Sequence, residues 1–214
     1  MNYGTQARTD NCIERLRALR CCVIIPTYNN AATLASVIDE ALDYCSDIIV
    51  VNDGCTDGTA QIISSFGERI RSLTQDRNQG KGVALQCGMA YAMRLGFRYA
   101  ITMDSDGQHY PSDILKFVDA IEQNPGTLLV GARDLNADGM PGKNTFANRF
   151  SNFWFRLETG VRLEDTQSGF RAYPLDKISL GSHLLTGGYE FELEMLVFTA
   201  WKGVPVKNIP VRVY

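Results

Sequence analysis

The stretch of this chain with the clearest chemical potential is the acidic segment Met103–His109, which reads Met-Asp-Ser-Asp-Gly-Gln-His. It follows the strand-like run Phe97–Thr102, and side chains alternate along an extended backbone. If that geometry continues, Asp104, Asp106 and Gln108 point to one side. Two carboxylates this close repel each other unless a cation lies between them, and a hard divalent ion held by few protein oxygens takes its other ligands from substrate phosphates. The segment therefore predicts metal-assisted chemistry on a phosphorylated substrate, with an acidic surface turn as the alternative.

Two other motifs depart from the patterns that phosphate and calcium sites require. Gly80-Lys81-Gly82 has a glycine after the lysine, where a P-loop has Ser or Thr, and Leu85 stands where a dinucleotide-binding loop has its third glycine. The loop still predicts backbone N–H groups and a positive charge at a helix start, which suits an anion, while a helix-entry loop with a solvated lysine is the alternative. Cys55 occupies a ligand position of the calcium loop that Asp53 would begin, which excludes calcium binding there.

Composition and charge describe a globular domain with a substantial core. The chain has 214 residues, 45% of them hydrophobic, and a formal net charge of -3, which argues against a general nucleic-acid-binding protein. We expect a soluble, cytoplasmic chain, because no run approaches the roughly 18 uncharged apolar residues of a membrane span and no apolar signal core stands near the N-terminus. The six cysteines show no Cys-x-x-Cys spacing, which favours reduced thiols over disulfides or a zinc site.

Apolar runs and helical spacings alternate along most of the chain. Cys21–Pro26 and Ile48–Val51 are continuous apolar runs, typical of strands buried on both faces of a parallel sheet, and residues 31–44 between them have helical spacing. The same patterns predict strands at 70–74, 97–102, 128–130 and 204–214, and helices at 57–65 with Asp57 as N-cap, 82–95, 111–122 and 189–201. We therefore predict an α/β fold with a mostly parallel central sheet and helices on both faces, preceded by a loose or helical lead-in at 1–20.

Polar clusters follow four of the predicted strands, at residues 26–30, 52–57, 104–108 and 131–134. Ligands of open α/β sheets bind beyond the carboxyl ends of the strands. We therefore expect the four clusters to line one cleft. Their coincidence strengthens the interpretation of Asp104 and Asp106 as a metal site.

The texture of the chain changes after Asp138, where glycine and proline at 139–142 predict a flexible loop. Aromatic and aliphatic side chains then recur every three to four residues, at Phe146, Phe150, Phe153, Trp154 and Leu157. Core packing of an amphipathic helix explains this stripe. A helix that lies in a membrane surface and reaches a lipid substrate is the functional alternative.

Six motifs, in order and spacing, resemble the family 2 glycosyltransferases of GT-A fold, and the branch most similar is that of the dolichyl- or polyprenyl-phosphate sugar synthases. The resemblance covers nearly the whole chain after residue 20. It rests on Ile25–Asn30, Val51–Thr59, Asn78–Gly82, Asp104–Gln108, Gly131–Arg133 and Asp165–Arg171. One departure is Asn30, which stands where the family usually has Glu.

The resemblance implies a nucleotide-sugar half at about 21–134 and an acceptor half at about 135–214 of a single GT-A domain. It implies that a UDP- or GDP-sugar is bound by Pro26, Tyr28, Asn30, Asp53, Lys81, Asp104 and Ser105. It also implies that Mg²⁺ or Mn²⁺ is shared between the diphosphate and Asp104, Asp106 and Gln108, with Asp106, Asp165 and Arg171 as the catalytic residues.

The resemblance further implies inverting transfer to a polyprenyl phosphate, whose phosphate is bound by Arg133, Arg149, Ser151 and Arg171, with Lys143 nearby. Asp165 is the candidate general base, which an alcohol acceptor needs. A phosphate monoester, with a second pKa of about 6, is already mostly ionised and needs a base less. Partners are then the nucleotide sugar, the lipid phosphate and a peripheral contact with the cytoplasmic face of a membrane, but no nucleic acid.

Three alternatives stay open at this point. The same fold could transfer the sugar to a saccharide or lipid hydroxyl with Asp165 as base. A sugar-nucleotide pyrophosphorylase normally needs a glycine-rich basic loop after the first strand, which Pro26–Asn30 does not offer. A binding module for nucleotide sugars would have the site without the turnover.

Overall fold

A computed structural model describes residues 3–133, 142–178, 180 and 190–213. Within them lies a seven-stranded sheet of order β3-β2-β1-β4-β6-β5-β7. The strands are β1 Cys21–Thr27, β2 Ile48–Asn52, β3 Arg71–Thr74, β4 Tyr99–Thr102, β5 Leu128–Arg133, β6 Arg171–Pro174 and β7 Val206–Val211. Strand β6 pairs antiparallel with β4 and β5, and the other neighbours pair parallel. The predicted mostly parallel sheet is confirmed.

Helices cover both faces of this sheet. They are α1 Tyr3–Leu19, α2 Leu34–Leu42, α3 Thr59–Ser65, α4 Lys81–Arg94, α5 Ile114–Gln123, α6 Gly142–Thr159 and α7 Glu190–Trp201, with short 3₁₀ turns at Gly67–Arg69 and Pro111–Asp113. The alternation of side chains in β1 sends Val23 and Ile25 to the core beneath α2 and α5, and Ile24 to the core beneath α4 and α7. Both cores are apolar, which explains why β1 and β2 are apolar at every position before their last residue.

The observed elements differ from the predicted ones mainly at their ends. The N-cap of α3 is Gly58, one residue later than predicted, although the Asp57 carboxylate accepts the N–H of Thr59. The predicted last strand is shorter, Val206–Val211, and the predicted lead-in is largely the helix α1, which buries Leu16 in the core.

Strand β6 was not predicted from the sequence. Its sequence, Arg-Ala-Tyr-Pro, begins with a charged residue and is therefore not an apolar run. The division into donor and acceptor halves stays a prediction. Asp134, Asp138, Gly139 and Pro141 lie outside the described residues, as do the side chains of Lys143 and Phe146.

Candidate active site

A cleft with a volume of about 450 Å³ opens where the carboxyl ends of β1, β2 and β4 meet. Its described lining is Pro26, Thr27, Tyr28, Asn30, Asp53, Asn78, Gly80, Lys81, Ala84, Asp104, Ser105 and Asp106. Three of the four predicted polar clusters therefore share one cleft. The fourth, at 131–134, contributes no residue to this lining within the described part of the chain.

The buried Asp53 carboxylate shapes one wall of the cleft. Its two oxygens accept the backbone N–H groups of Gln79 and Gly80 at 2.8 and 2.9 Å. The adjacent Gly54 has φ +66°, a backbone conformation that favours glycine. A Cβ at Gly54 would also lie 2.3 Å from the carbonyl carbon of Arg77, so only glycine allows the loop at Arg77 to pack this closely. Asp53 thus fixes the loop that leads into α4. Contact between Asp53 and a nucleotide base stays a prediction.

The acidic segment is tied to the loop after β1. Asn30 Nδ2 donates to Ser105 Oγ at 2.7 Å, and Thr33 Oγ1 donates to the Ser105 carbonyl at 2.6 Å. Ser105 is consequently buried and held from two sides. The Asn30 side chain therefore makes a structural contact at the position where the resembling family usually has Glu.

The expectation that the acidic segment continues as an extended strand is wrong. The backbone turns at Ser105 and Asp106, so side-chain alternation does not continue through the segment. Asp104 and Asp106 both line the cleft nevertheless. Gln108 is exposed, donates its backbone N–H to Asp106 Oδ1 at 2.9 Å and is absent from the described lining. The cleft therefore brings together two of the three predicted metal ligands, and their binding of a metal stays a prediction.

The Asp104 carboxylate forms a salt bridge with Lys81, the first residue of α4. Lys81 Nζ lies 2.6 Å from Asp104 Oδ1 and 2.9 Å from Glu192 Oε2. Burial by itself would lower the pKa of Lys81, but the charges of Glu192 and Asp104 outweigh it and raise that pKa well above its usual range. Burial would likewise raise the pKa of Asp104, but Lys81 and His109 hold it well below normal. Lys81 and Asp104 are therefore both charged at neutral pH.

Gly169 lies directly against the same salt bridge. A Cβ at this position would be 2.4 Å from Asp104 Oδ2 and 2.7 Å from Lys81 Nζ. The Gly169 carbonyl accepts the Thr102 hydroxyl at 2.8 Å, which holds the backbone in place at the end of β4. The predicted motif that ends at Arg171 therefore meets the acidic segment through its glycine.

Whether a divalent cation fits depends on the donor atoms that the cleft offers. Asp104 and Asp106 supply hard carboxylate oxygens, and the Lys81 ammonium already shows that a positive charge is accommodated at Asp104. Within the described residues no group of three or more His, Cys, Asp or Glu side chains could hold a metal ion. Two carboxylates with the remaining ligands from phosphates is the usual arrangement for Mg²⁺, so the site fits a cation that arrives with a phosphorylated ligand.

Asp165 is buried and fully engaged. Its Oδ2 accepts Arg133 Nε at 2.7 Å, and its Oδ1 accepts Asn148 Nδ2 at 2.8 Å and the Gln167 N–H at 2.9 Å. Burial would raise the pKa of Asp165, but the ion pair with Arg133 and these hydrogen bonds outweigh burial and lower it. A carboxylate with a lowered pKa, with no exposure to solvent, is a poor proton acceptor.

Arg171 is buried behind the cleft, and its predicted catalytic and acceptor-binding roles stay predictions that this burial makes less favourable. Its side chain has no solvent exposure and donates to the carbonyls of Thr166, Ser168 and Glu192 and to the Tyr173 hydroxyl. The guanidinium stabilises the turn before β6 because it satisfies carbonyls that would otherwise be buried without donors. In this structure Arg171 supports the site from behind.

The remaining predicted acceptor residues lie on or beside α6. Arg149 is exposed, whereas Ser151 is buried and accepts the Thr166 hydroxyl at 2.8 Å. Arg133 is half-buried and oriented by Asp165. The described contacts therefore leave Arg149 at the surface and use Ser151 to anchor α6 to the segment before β6.

The outer face of α6 is an exposed apolar surface, which we call the α6 patch. It consists of Phe150, Phe153, Trp154 and Leu157, which are 43–61% exposed. Core packing, the simpler sequence interpretation, is therefore wrong for these four side chains. None of the helices in the described ranges is long and apolar enough to span a bilayer.

Glu192 is the site residue that the sequence did not reveal. It lies on α7, far along the chain from Lys81, and is buried. A possible signal was an acid flanked by apolar residues in the predicted helix, Phe191-Glu192-Leu193.

Comparison with known proteins gives a consistent result. Residues 22–174 match the family described as Glycosyl transferase family 2. The polyprenol monophosphomannose synthase of Mycolicibacterium smegmatis is 28% identical over 204 residues, which cover 90% of this chain and 76% of that protein. The undecaprenyl-phosphate mannosyltransferase of Micrococcus luteus is 27% identical over 204 residues, covering 90% and 83%.

The fold of this chain is similar to that of a solved structure. The glucosyl-3-phosphoglycerate synthase of Mycobacterium tuberculosis, in complex with Mn²⁺ and UDP-glucose, has a TM-score of 0.70 and 21% identity, and the match covers 95% of this chain and 74% of that one. The predicted GT-A fold is thereby confirmed.

Proposed function

Since the chain belongs to glycosyl transferase family 2, we propose that it transfers a sugar from a nucleotide diphosphate to a polyprenyl phosphate, with inversion at the anomeric carbon. The observation that carries this proposal is the pair Asp104 and Asp106 on one cleft beside Lys81. The cleft offers two carboxylates for a cation and an ammonium for a diphosphate. Relatives named as polyprenyl-phosphate sugar transferases support the acceptor.

The donor occupies the cleft in this proposal. The loop held by Asp53 and the start of α4 lie beside Lys81, where backbone N–H groups and an ammonium favour a negatively charged group. Asp104 and Asp106 would hold Mg²⁺ or Mn²⁺, and such an ion neutralises the charge that develops on a diphosphate leaving group. A solved structure of the same fold contains Mn²⁺ and UDP-glucose, which supports this donor class.

A phosphate acceptor suits this site better than a hydroxyl. Transfer to an alcohol requires a base, and the candidate Asp165 is buried, paired with Arg133 and lowered in pKa. A phosphate monoester has a second pKa of about 6 and is already ionised at neutral pH. We propose that Asp165 orients Arg133, and that Arg133 and the exposed Arg149 provide positive charge for the acceptor phosphate.

We also propose that the α6 patch rests in the surface of a membrane that carries the acceptor. Aromatic and aliphatic side chains on one face of a helix, with Arg149 and Arg156 exposed on the same helix, favour contact with an anionic bilayer surface. Replacement of Phe153 by Ser should reduce sedimentation with phosphatidylglycerol vesicles. Leu95→Ser, which changes an exposed leucine at the end of α4, is the matched control.

The function is tested by turnover. The protein is incubated with UDP- and GDP-sugars and Mn²⁺ or Mg²⁺, with and without a polyprenyl phosphate, and the products are identified by mass spectrometry. We expect a glycosylated lipid phosphate that depends on the metal. Transfer to hydroxyl acceptors alone would reject the proposed acceptor, and the absence of product with every pair would favour a binding module.

A further inference from the structure

Glu192 is a buried acid at the cleft that the proposed reaction does not use. It lies on α7, and its side chain is 6% exposed. Its Oε2 lies 2.9 Å from Lys81 Nζ, which in turn lies 2.6 Å from Asp104 Oδ1. Asp104 and Lys81 line the cleft, whereas Glu192 stands behind them. From the protein interior to the cleft, the three side chains therefore lie in the order Glu192, Lys81 and Asp104, with the ammonium between two carboxylates.

Stability alone does not explain this acid. Glu192 Oε1 is buried without a hydrogen-bond donor among the described atoms, and its nearest recorded cation, Arg171 Nε, is 3.7 Å away. A buried carboxylate oxygen that lacks a donor destabilises a fold. The Arg171 guanidinium donates its hydrogen bond to the Glu192 backbone carbonyl, which fixes the position of the residue.

The geometry of Lys81 shows what the negative charge of Glu192 can do. A divalent cation at Asp104 would repel the ammonium that lies 2.6 Å from that carboxylate. The Gly169 backbone lies close by on another side, since a Cβ built there would come within 2.7 Å of Nζ, and this leaves the ammonium little room in that direction. Glu192 offers a second anion on the interior side. An ammonium held there stays at the cleft wall after it gives up Asp104.

We infer that Glu192 is a positioning residue that retains the Lys81 ammonium at the cleft when a divalent cation takes Asp104. This inference rests on the proposed function, since it assumes that a cation and a diphosphate bind in the cleft. Glu192 lowers the cost of exchanging the Lys81–Asp104 pair for a metal–Asp104 contact. Because Glu192 belongs to α7, the same contact links the acceptor side of the chain to the donor site.

The test is nucleotide binding measured by calorimetry as a function of Mn²⁺ concentration, first with UDP and with GDP, and then with whichever binds. For Glu192→Gln we expect the half-saturating Mn²⁺ concentration to rise about tenfold, as is common for residues that orient metal ligands. Without Glu192 the ammonium loses its anion on the interior side, so its displacement from Asp104 by the metal costs more free energy. Glu192→Asp, which keeps the charge but withdraws it from Lys81, should give a smaller rise.

A cycle with Lys81→Met separates positioning from general effects. In the Lys81→Met background, Glu192→Gln should leave the Mn²⁺ dependence unchanged, since no ammonium remains to be held. An equal effect in both backgrounds, or no effect in the native background, overturns the inference. Glu190→Gln on the exposed side of α7 is the control, and thermal unfolding shows that each variant is folded. Failure of the unsubstituted protein to bind either nucleotide with Mn²⁺ rejects the proposed function instead.

Discussion

Two acid–base pairs of this chain look alike in sequence but differ in what they can do. Asp104 pairs with Lys81 at the cleft, and the two side chains keep 25% and 17% of their surface exposed. Asp165 pairs with Arg133 on the other side of β6, and its carboxylate has no exposure. The first pair is open to the cleft and, under the proposed function, exchanges its partner for a ligand, whereas the second is a buried part of the scaffold. The solvent exposure of the carboxylate, more than the residue type, thus distinguishes an acid that can contact a ligand from one that only stabilises the fold.

The largest effect is expected from a substitution that breaks the buried Asp165–Arg133 pair. Asp165→Asn leaves Arg133 without its counter-charge and should lower the free energy of unfolding by about 3 kcal/mol, because removal of one partner strands the other charge. Urea unfolding followed by circular dichroism measures this. Glu164→Gln, an exposed neighbour, is the control and should have little effect. A variant of unchanged stability would mean that the Asp165 pair is as replaceable as the Asp104 pair.

Asp104→Asn should act on turnover and hardly on stability. We expect transfer to fall about hundredfold, since an amide is a weak ligand for a hard cation, while the unfolding midpoint changes little. Initial rates at saturating donor and Mn²⁺ measure this. Asp76→Asn, on the exposed loop before Asn78, provides the control. A large loss of stability with normal turnover would assign Asp104 to the scaffold.

Gly169→Ala sharpens the comparison, because this glycine lies between the two pairs. Its Cβ would meet Asp104 and Lys81 at 2.4 and 2.7 Å, so the salt bridge must shift. We expect transfer to fall about tenfold, with a stability loss of about 1 kcal/mol from overpacking. Gly58→Ala, whose Cβ would have no neighbour closer than 3.7 Å, should change neither quantity. Equal effects of the two changes would contradict the crowded geometry.

The smallest expected effect concerns pH. Burial would raise the folded-state pKa of Asp165, but the contacts with Arg133 and other donors outweigh burial and lower it. The stabilisation is therefore present above the unfolded pKa of about 3.9. That stabilisation is lost as pH falls from there through the folded pKa. The stability difference between the unsubstituted protein and Asp165→Asn should therefore be constant from pH 7 to about pH 5 and shrink below about pH 4. Urea unfolding at each pH tests this, and a difference that grows in acid would contradict it.

The sequence predicted those features that local patterns determine. Apolar runs located β1, β2, β4 and β5, and polar residues at their ends located Asp53, Asp104 and Asp106 in one cleft. It could not predict which charged residues are buried, because burial depends on partners far along the chain. Arg171 is satisfied by carbonyls of its own turn and of α7, and the Glu192–Lys81 contact joins residues that lie far apart in the sequence.

The turn at Ser105 was also beyond sequence reasoning, since it depends on donors from Asn30 and Thr33. Those hydrogen bonds exist only once β1 and β4 are neighbours in the sheet. The sequence around Asp104, considered by itself, favoured an extended backbone. The relation of Gln108 to a metal stays a prediction that this turn makes less favourable.

The reversed direction of β6 has a consequence for how two reactants can meet. Its neighbours β4 and β5 run in the opposite direction. The segment that precedes β6 therefore lies at the edge of the sheet where β4 ends. That incoming peptide carries Asp165 to Gly169, and in a wholly parallel sheet it would lie some four residues of strand away, at the opposite rim. A single inverted strand thus brings a second set of side chains to the rim at which β4 ends, and under the proposed function the sugar donor and the acceptor are bound side by side there.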